Sequence, residues 1–218
     1  MKVVEKSLVR FAGVVLGLVL TSSALIGADT VRYQGVPGGS SVKIDGTSTV
    51  HDWTVESKLI GGFMEVDGMF PSDLSVATVP ELPEVPKVLV QIPVSSLKSG
   101  KSTMDSVMHK AMKRSQHRVI KYTLDSMVPS TQARKSGDPL RYDTKGHLTV
   151  AGVKKPVSMP VQLKGHGDGG LQIMGKTKVK MTDFGIDPPA PKIALGLIKT
   201  GDEVDITFKW VTRQRTKK

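Results

Sequence analysis

VDITFKW, residues 204–210, sets Val204, Ile206, Phe208 and Trp210 on one side of an extended chain and Asp205, Thr207 and Lys209 on the other. A period of two is the mark of a β-strand with one dry face and one wet face. VSMPVQLK (157–164) repeats it with Val157, Met159, Val161 and Leu163. LQIMGKTKVK (171–180) repeats it again with Leu171, Ile173, Gly175, Thr177 and Val179, Met174 being the one misfit. Val88, Val90, Ile92 and Val94 form a fourth run. Function is then to be sought in what the dry faces enclose.

Working outward, a strand is expected over Ser41 to Thr47 and another from Asp52, with Trp53, Val55 and Leu59 on one face. Gly61 and Gly62 interrupt it, and the apolar phase moves to Met64 and Val66, as at a β-bulge. Phe70 to Lys87, with Pro71, Pro80, Pro83 and Pro86, suits an extended surface loop rather than a ladder strand. Ser102 to about Ser115 reads as a helix opened by a Ser102–Asp105 capping box, with Met104, Val107, Met108, Ala111 and Met112 on one face. Strands return at Val119–Met127, with Ile120, Tyr122 and Leu124 aligned, and at Arg141–Val150, with Tyr142, Leu148 and Val150 aligned. Gly152 marks a hairpin, Gly165 to Gly170 a turn, and Met181 to Gly201 an irregular segment rich in proline. About eight strands and one helix between them favour an all-β fold, an eight-stranded antiparallel barrel rather than a sandwich.

Residues 1–28 read as a secretory signal peptide: Lys2, Lys6 and Arg10, then an apolar run from Phe11 to Leu20, then small residues, with cleavage after Ala24 or Ala28. The expected localisation is periplasmic or secreted. The remaining 190 residues suffice for one domain, divided into a loose lead-in at 29–40, the barrel at 41–212 and a basic tail at 213–218. The chain has no cysteine, so packing alone must stabilise it. Beyond the signal there are 28 basic and 19 acidic residues, a net of +9. That balance suits an anionic membrane surface met through the tail Arg213, Arg215, Lys217 and Lys218, and is compatible with a homodimer. Nucleic acid is not expected, because the charges are spread along wet strand faces without interleaved aromatics.

Motifs of catalysis fail on their context. Gly100-Lys101-Ser102 lacks the earlier glycine of a phosphate loop, Ser95 standing in its place. Asp183-Phe184-Gly185 has none of the companion motifs of a kinase and reads as a turn at a strand end. His51, His109, His117, His147 and His166 show no metal-ligand spacing. His51 beside Asp52 is the best pair for hydrolytic chemistry, yet neighbours on a strand point to opposite faces. No enzyme is expected, and neither metal nor cofactor.

Several segments in order resemble the YceI-like family of exported, lipocalin-like proteins: Gly46-Thr47-Ser48-Thr49-Val50-His51-Asp52-Trp53; the Ile92–Ser99 strand followed by the Met104–Met112 helix; Gly146-His147-Leu148-Thr149-Val150-Ala151-Gly152-Val153; and Met181-Thr182-Asp183-Phe184-Gly185-Ile186. The resemblance runs over residues 41–211. It implies a non-enzymatic barrel holding an isoprenoid chain, a quinone tail or polyprenyl lipid, as ligand rather than cofactor. The long Phe70–Lys87 segment and the basic tail depart from the family's commonest pattern.

From the residues alone a filled core and a lined cavity are equally open; the resemblance favours the cavity. The positions expected to hold the ligand are Val90 and Ile92; Met104, Met108 and Met112 on the helix; Tyr122, Leu124 and Leu148; Met159, Val161 and Leu163; and Ile173, Phe184, Ile206 and Phe208. The function read here is transport, storage or sequestration of that lipid. The alternative is a basic surface-interaction module of the cell envelope with a filled barrel core.

Overall fold

The computed structural model describes residues 30–68, 70, 74, 76–132, 135–167, 169–190 and 198–215. The signal segment at 1–28 and the tail residues 216–218 lie outside them. The chain forms β1 (Thr30–Gly35), β2 (Ser41–Ser48), β3 (Trp53–Ser57), β4 (Gly61–Asp67), β5 (Lys87–Pro93), α1 (Ser102–Ala111), β6 (Val119–Pro129), β7 (Leu140–Val150), β8 (Val153–His166), β9 (Gly170–Lys180) and β10 (Thr200–Arg215).

All ten strands join one antiparallel sheet, and a β1–β10 pairing closes it into a barrel. β10 pairs with β2 along Val204–Lys209 and with β1 along Thr212–Arg215, so β1 and β2 are two halves of one broken strand. β3 and β4, paired to β2 and β1, are likewise halves of another. The ten segments therefore occupy eight ladder positions. Closure removes the unpaired edges that an open sheet of this size would expose.

The breaks correct two readings. Thr30–Gly35, within the stretch read as lead-in, is the strand that closes the barrel; only Tyr33 of its six residues is buried, so its pattern carries little signal. Leu59 is 55% exposed rather than sharing the inner face of Trp53 and Val55, because the chain leaves the ladder after Ser57, and Ile60 turns inward instead. The expected change of phase is a full interruption before β4. The basic tail also begins inside the sheet, Arg213 and Arg215 facing Gln34 and Arg32 across the ladder.

Other elements follow their chemistry closely. Val150 and Val153 are joined by the two-residue turn Ala151-Gly152, both at positive φ (50° and 85°), as a tight hairpin of this hand requires. The β8–β9 ladder ends at Val161–Gly175 although both strands run on toward Val153 and Lys180. Pro156 and Pro160, with no N–H to offer, lie in the stretch of β8 that pairs with β7 but not with β9.

α1 is shorter than its apolar pattern suggests, and Lys113 at φ 52° turns the chain out of the helix. The capping box does not form: Lys101 occupies the cap position without a side-chain bond, and Ser102 is already helical. Asp105 instead accepts hydrogen bonds from Ser99 N–H and Ser99 Oγ, each at 2.7 Å, with Lys98 Nζ at 3.6 Å. Burial raises the Asp105 pKa, but the Ser99 hydrogen bonds, then Lys98 and His109, outweigh it, leaving the carboxyl below its ordinary 3.8. A depressed folded-state pKa contributes stability above the unfolded value and loses it as pH falls through the folded one. Asp105→Asn should therefore lower the melting temperature at pH 7 and flatten its decline below about pH 4, as read by thermal melts across that range.

The proline-rich segment does not join the ladder, but it does more than cross the surface. Leu74, Val76, Val79 and Leu82 pack on the core, and Tyr142 Oη donates to the Pro80 carbonyl at 3.1 Å. Tyr142 is near the start of β7, so this segment covers the barrel end remote from α1. One end is sealed, and the other carries the helix.

Candidate functional site

Inward positions of β7 and β8 face each other in register as Val150–Val153, Gly146–Val157, Thr144–Met159, Tyr142–Val161 and Leu140–Leu163. Two rings lie flat across strand glycines: a Cβ on Gly146 would stand 2.6 Å from Tyr122 Oη, and one on Gly175 would stand 2.7 Å from the Phe208 ring. At the end away from α1, Leu140, Tyr142 and Leu163 are at most 1% exposed. Toward the helix the packing opens.

The space is a lumen of two chambers. The inner, about 120 Å³, is lined on β5, β6, β8, β9 and β10 by Val90, Tyr122, Leu124, Met159, Val161, Leu163, Ile173 and Phe208. The outer, about 480 Å³, runs beneath α1 and is lined by Met104, Met108 and Met112 and by Phe184 of the turn after β9. Val42, Ile92, Leu148 and Ile206 border both chambers and form the waist. A filled core is thus not what the barrel contains. Every position expected to hold a ligand lines one chamber or the other.

Sequence reading missed part of the wall. Met64 and Trp210 of the inner chamber, and Ile44, Trp53 and Ile186 of the outer, were absent from the expected set. Ile44 and Trp210 were within reach of the alternation rule, since they continue the patterns of Val42 and Phe208. Ile186 had no such signal; it is placed by the 3₁₀ turn Thr182–Phe184 and by Gly185 at φ 63°.

Polar groups are few in the depth and gather at the mouth. In the inner chamber Thr144 Oγ1 donates to the Met159 carbonyl at 2.8 Å. Burial pushes the Tyr122 hydroxyl above its ordinary pKa, with the Thr144 hydroxyl opposing and Asp125 adding to the rise. The outer chamber reaches solvent past His51, Lys101 and Thr103, all exposed. His51 Nδ1 lies 2.9 Å from the main-chain carbonyl of Asp52, a local hydrogen-bonding contact at the strand start rather than an imidazole–carboxylate pair.

Such a space suits hydrocarbon. An apolar cavity of this kind stays dry. At ~24 cal/mol per Å³, the missing contacts of an empty inner chamber would cost about 3 kcal/mol. A chain reaching it through the waist would gain about 0.8 kcal/mol per buried CH₂ before ordering costs. The outer chamber falls in the range of ~300–1,000 Å³ usual for small-molecule sites. The methionines of α1 give it a wall that adapts to irregular apolar shapes.

Residues 33–212 match the family description "YceI-like domain". The chain is 31% identical over 182 residues to a UPF0312 protein of Pseudomonas fluorescens, the alignment covering 78% of this chain and 89% of that one. Its fold is similar to that of BcnA from Burkholderia cenocepacia, with a TM-score of 0.61, 16% identity, and 81% of this chain and 98% of that chain covered. It is also similar in fold to a polyisoprenoid binding domain from Saccharophagus degradans implicated in plant cell wall breakdown, with a TM-score of 0.57, 12% identity and coverage of 84% and 98%.

Proposed function

Because the chain belongs to the YceI-like family, we propose that it is a non-enzymatic lipid carrier whose barrel holds the isoprenoid chain of a quinone or polyprenyl lipid. The observation that carries this reading is the apolar lumen, narrow and deep behind the waist and wide under a helix of methionines. The polyisoprenoid named for the Saccharophagus degradans domain supports the choice of ligand class. The chain's polar head lies at the mouth beside His51 and Lys101, since no charged side chain lines the inner chamber. The lipid is cargo, and the protein works in the periplasm or outside the cell, consistent with the leader read at its start.

Protein expressed with its leader and purified without detergent tests this. Solvent extraction and mass spectrometry should return about one prenyl lipid per chain, in line with a single continuous lumen. Repeatedly empty protein from a host rich in such lipids would refute the reading.

A further inference from the structure

Among the described residues, a group of basic side chains gathers at the mouth of the barrel. At the mouth, Lys110, Lys113, Arg114 and Arg118 follow one another along the end of α1 and the turn after it, all exposed. The ring of His117 packs on Gly152, where a Cβ would stand 2.5 Å away, so this turn rests on the β7–β8 hairpin. That contact brings in Lys154 and Lys155 of β8, and the ladder brings in Lys121, which faces Thr149, itself opposite Lys154. These seven cations have no ion-pair partner among the described residues. Two exposed acids, Asp183 and Asp187, lie on the neighbouring turn by which Lys113 reaches Gly185.

Two apolar side chains stand exposed at the same end. Val50, 64% exposed, is in the β2–β3 connection whose neighbours Ser48 and His51 border the outer chamber; Val107, 36% exposed, borders it from α1. Arg213 and Arg215, the described residues of the tail that the sequence suggested as the membrane contact, lie elsewhere: β10 starts at the mouth with Thr200 and ends at the opposite end with Arg215. A protein resting on its tail would turn its mouth away from the surface.

We propose that the rim formed by the end of α1, the following turn and the β7–β8 hairpin docks on an anionic lipid bilayer, placing the outer chamber against the membrane. This deepens the carrier reading and rests on it for its purpose, although the docking itself requires no cargo. Clustered Lys and Arg are drawn to anionic headgroups within a screening length, and small exposed apolar groups beside them enter the headgroup layer. An acidic protein or nucleic acid would meet the charge equally well but would have no use for Val50 and Val107 at the edge of an apolar mouth.

Flotation with vesicles of phosphatidylcholine alone, or mixed equally with phosphatidylglycerol, tests the assignment. The wild-type chain should float with the mixed vesicles only, and release as salt rises well above 0.1 M, where screening acts within ~10 Å. Lys113→Glu/Arg114→Glu/Arg118→Glu should weaken binding about a hundredfold or more, and Lys154→Glu/Lys155→Glu should weaken it too. Arg213→Glu/Arg215→Glu, a charge reversal at the other end, should leave binding near that of wild type, whereas the Lys154→Glu/Lys155→Glu variant, of equal charge change, should not. Rim variants that melt like the wild type and still bind like it, loss confined to the tail variant, absence of wild-type binding, or equal affinity for a short DNA duplex at matched salt would each overturn the proposal. Lipid extracted from the same preparations reports separately on the carrier reading, so the two can fail independently.

Discussion

Leu148→Trp should abolish loading with long prenyl chains while leaving the barrel folded. Leu148 borders both chambers, as do Val42, Ile92 and Ile206 around it. An indole there fills the constriction from the β7 side. The outer chamber, at about 480 Å³, gives the added ring room to turn without displacing backbone, so overpacking should cost no more than ~1–3 kcal/mol. A C₁₅ or longer chain excluded from the inner chamber would lose the contacts of its last units at about 0.8 kcal/mol per CH₂, a difference of a hundredfold or more in affinity for a few carbons. Competition with a fluorescent prenyl probe should show long chains losing far more affinity than short ones. Equal loss for all lengths would place the chain outside the inner chamber.

Gly62→Ala should disrupt the fold itself. Gly62 sits in β4 at φ 120°, and a Cβ built on it would overlap the backbone carbonyl of Leu89 in the adjacent β5. The obstacle is main chain held by the β4–β5 ladder, which cannot rotate away as a side chain can. Strain of the backbone adds to the clash, and together they should cost about 3 kcal/mol or more, visible as a large fall in melting temperature or as insoluble expression. Gly137→Ala is the control: its φ of 85° imposes similar backbone strain, but no atom lies within 4 Å of the added carbon, so it should cost markedly less.

How much could be read from residues follows from where a single physical rule acts alone. β8, β9 and β10 are wet on one side and dry on the other, so their period of two is clear and their inward side chains could be named. β1 was missed because its work is closure through backbone pairing, which leaves little trace in side chains beyond Tyr33. The covering role of Leu74, Val76, Val79 and Leu82 was invisible for another reason: they have no regular period, and what places them is the Pro80–Tyr142 bond formed across the fold. Asp105 looked like a capping residue because its spacing from Ser102 fits the pattern, but Ser99 lies closer in space. The waist was beyond reach altogether. Whether Leu148 meets Ile206 across a filled or an open centre depends on volume left over after eight ladder positions close, and no local pattern encodes that remainder.

A crystal structure of protein loaded during expression, never exposed to detergent or organic solvent, would test the account most directly. Continuous tubular density is expected from beside Phe208 and Trp210, past Leu148, to an end near His51 and Lys101. A lumen collapsed onto its own side chains, or holding only ordered water along that path, would contradict it.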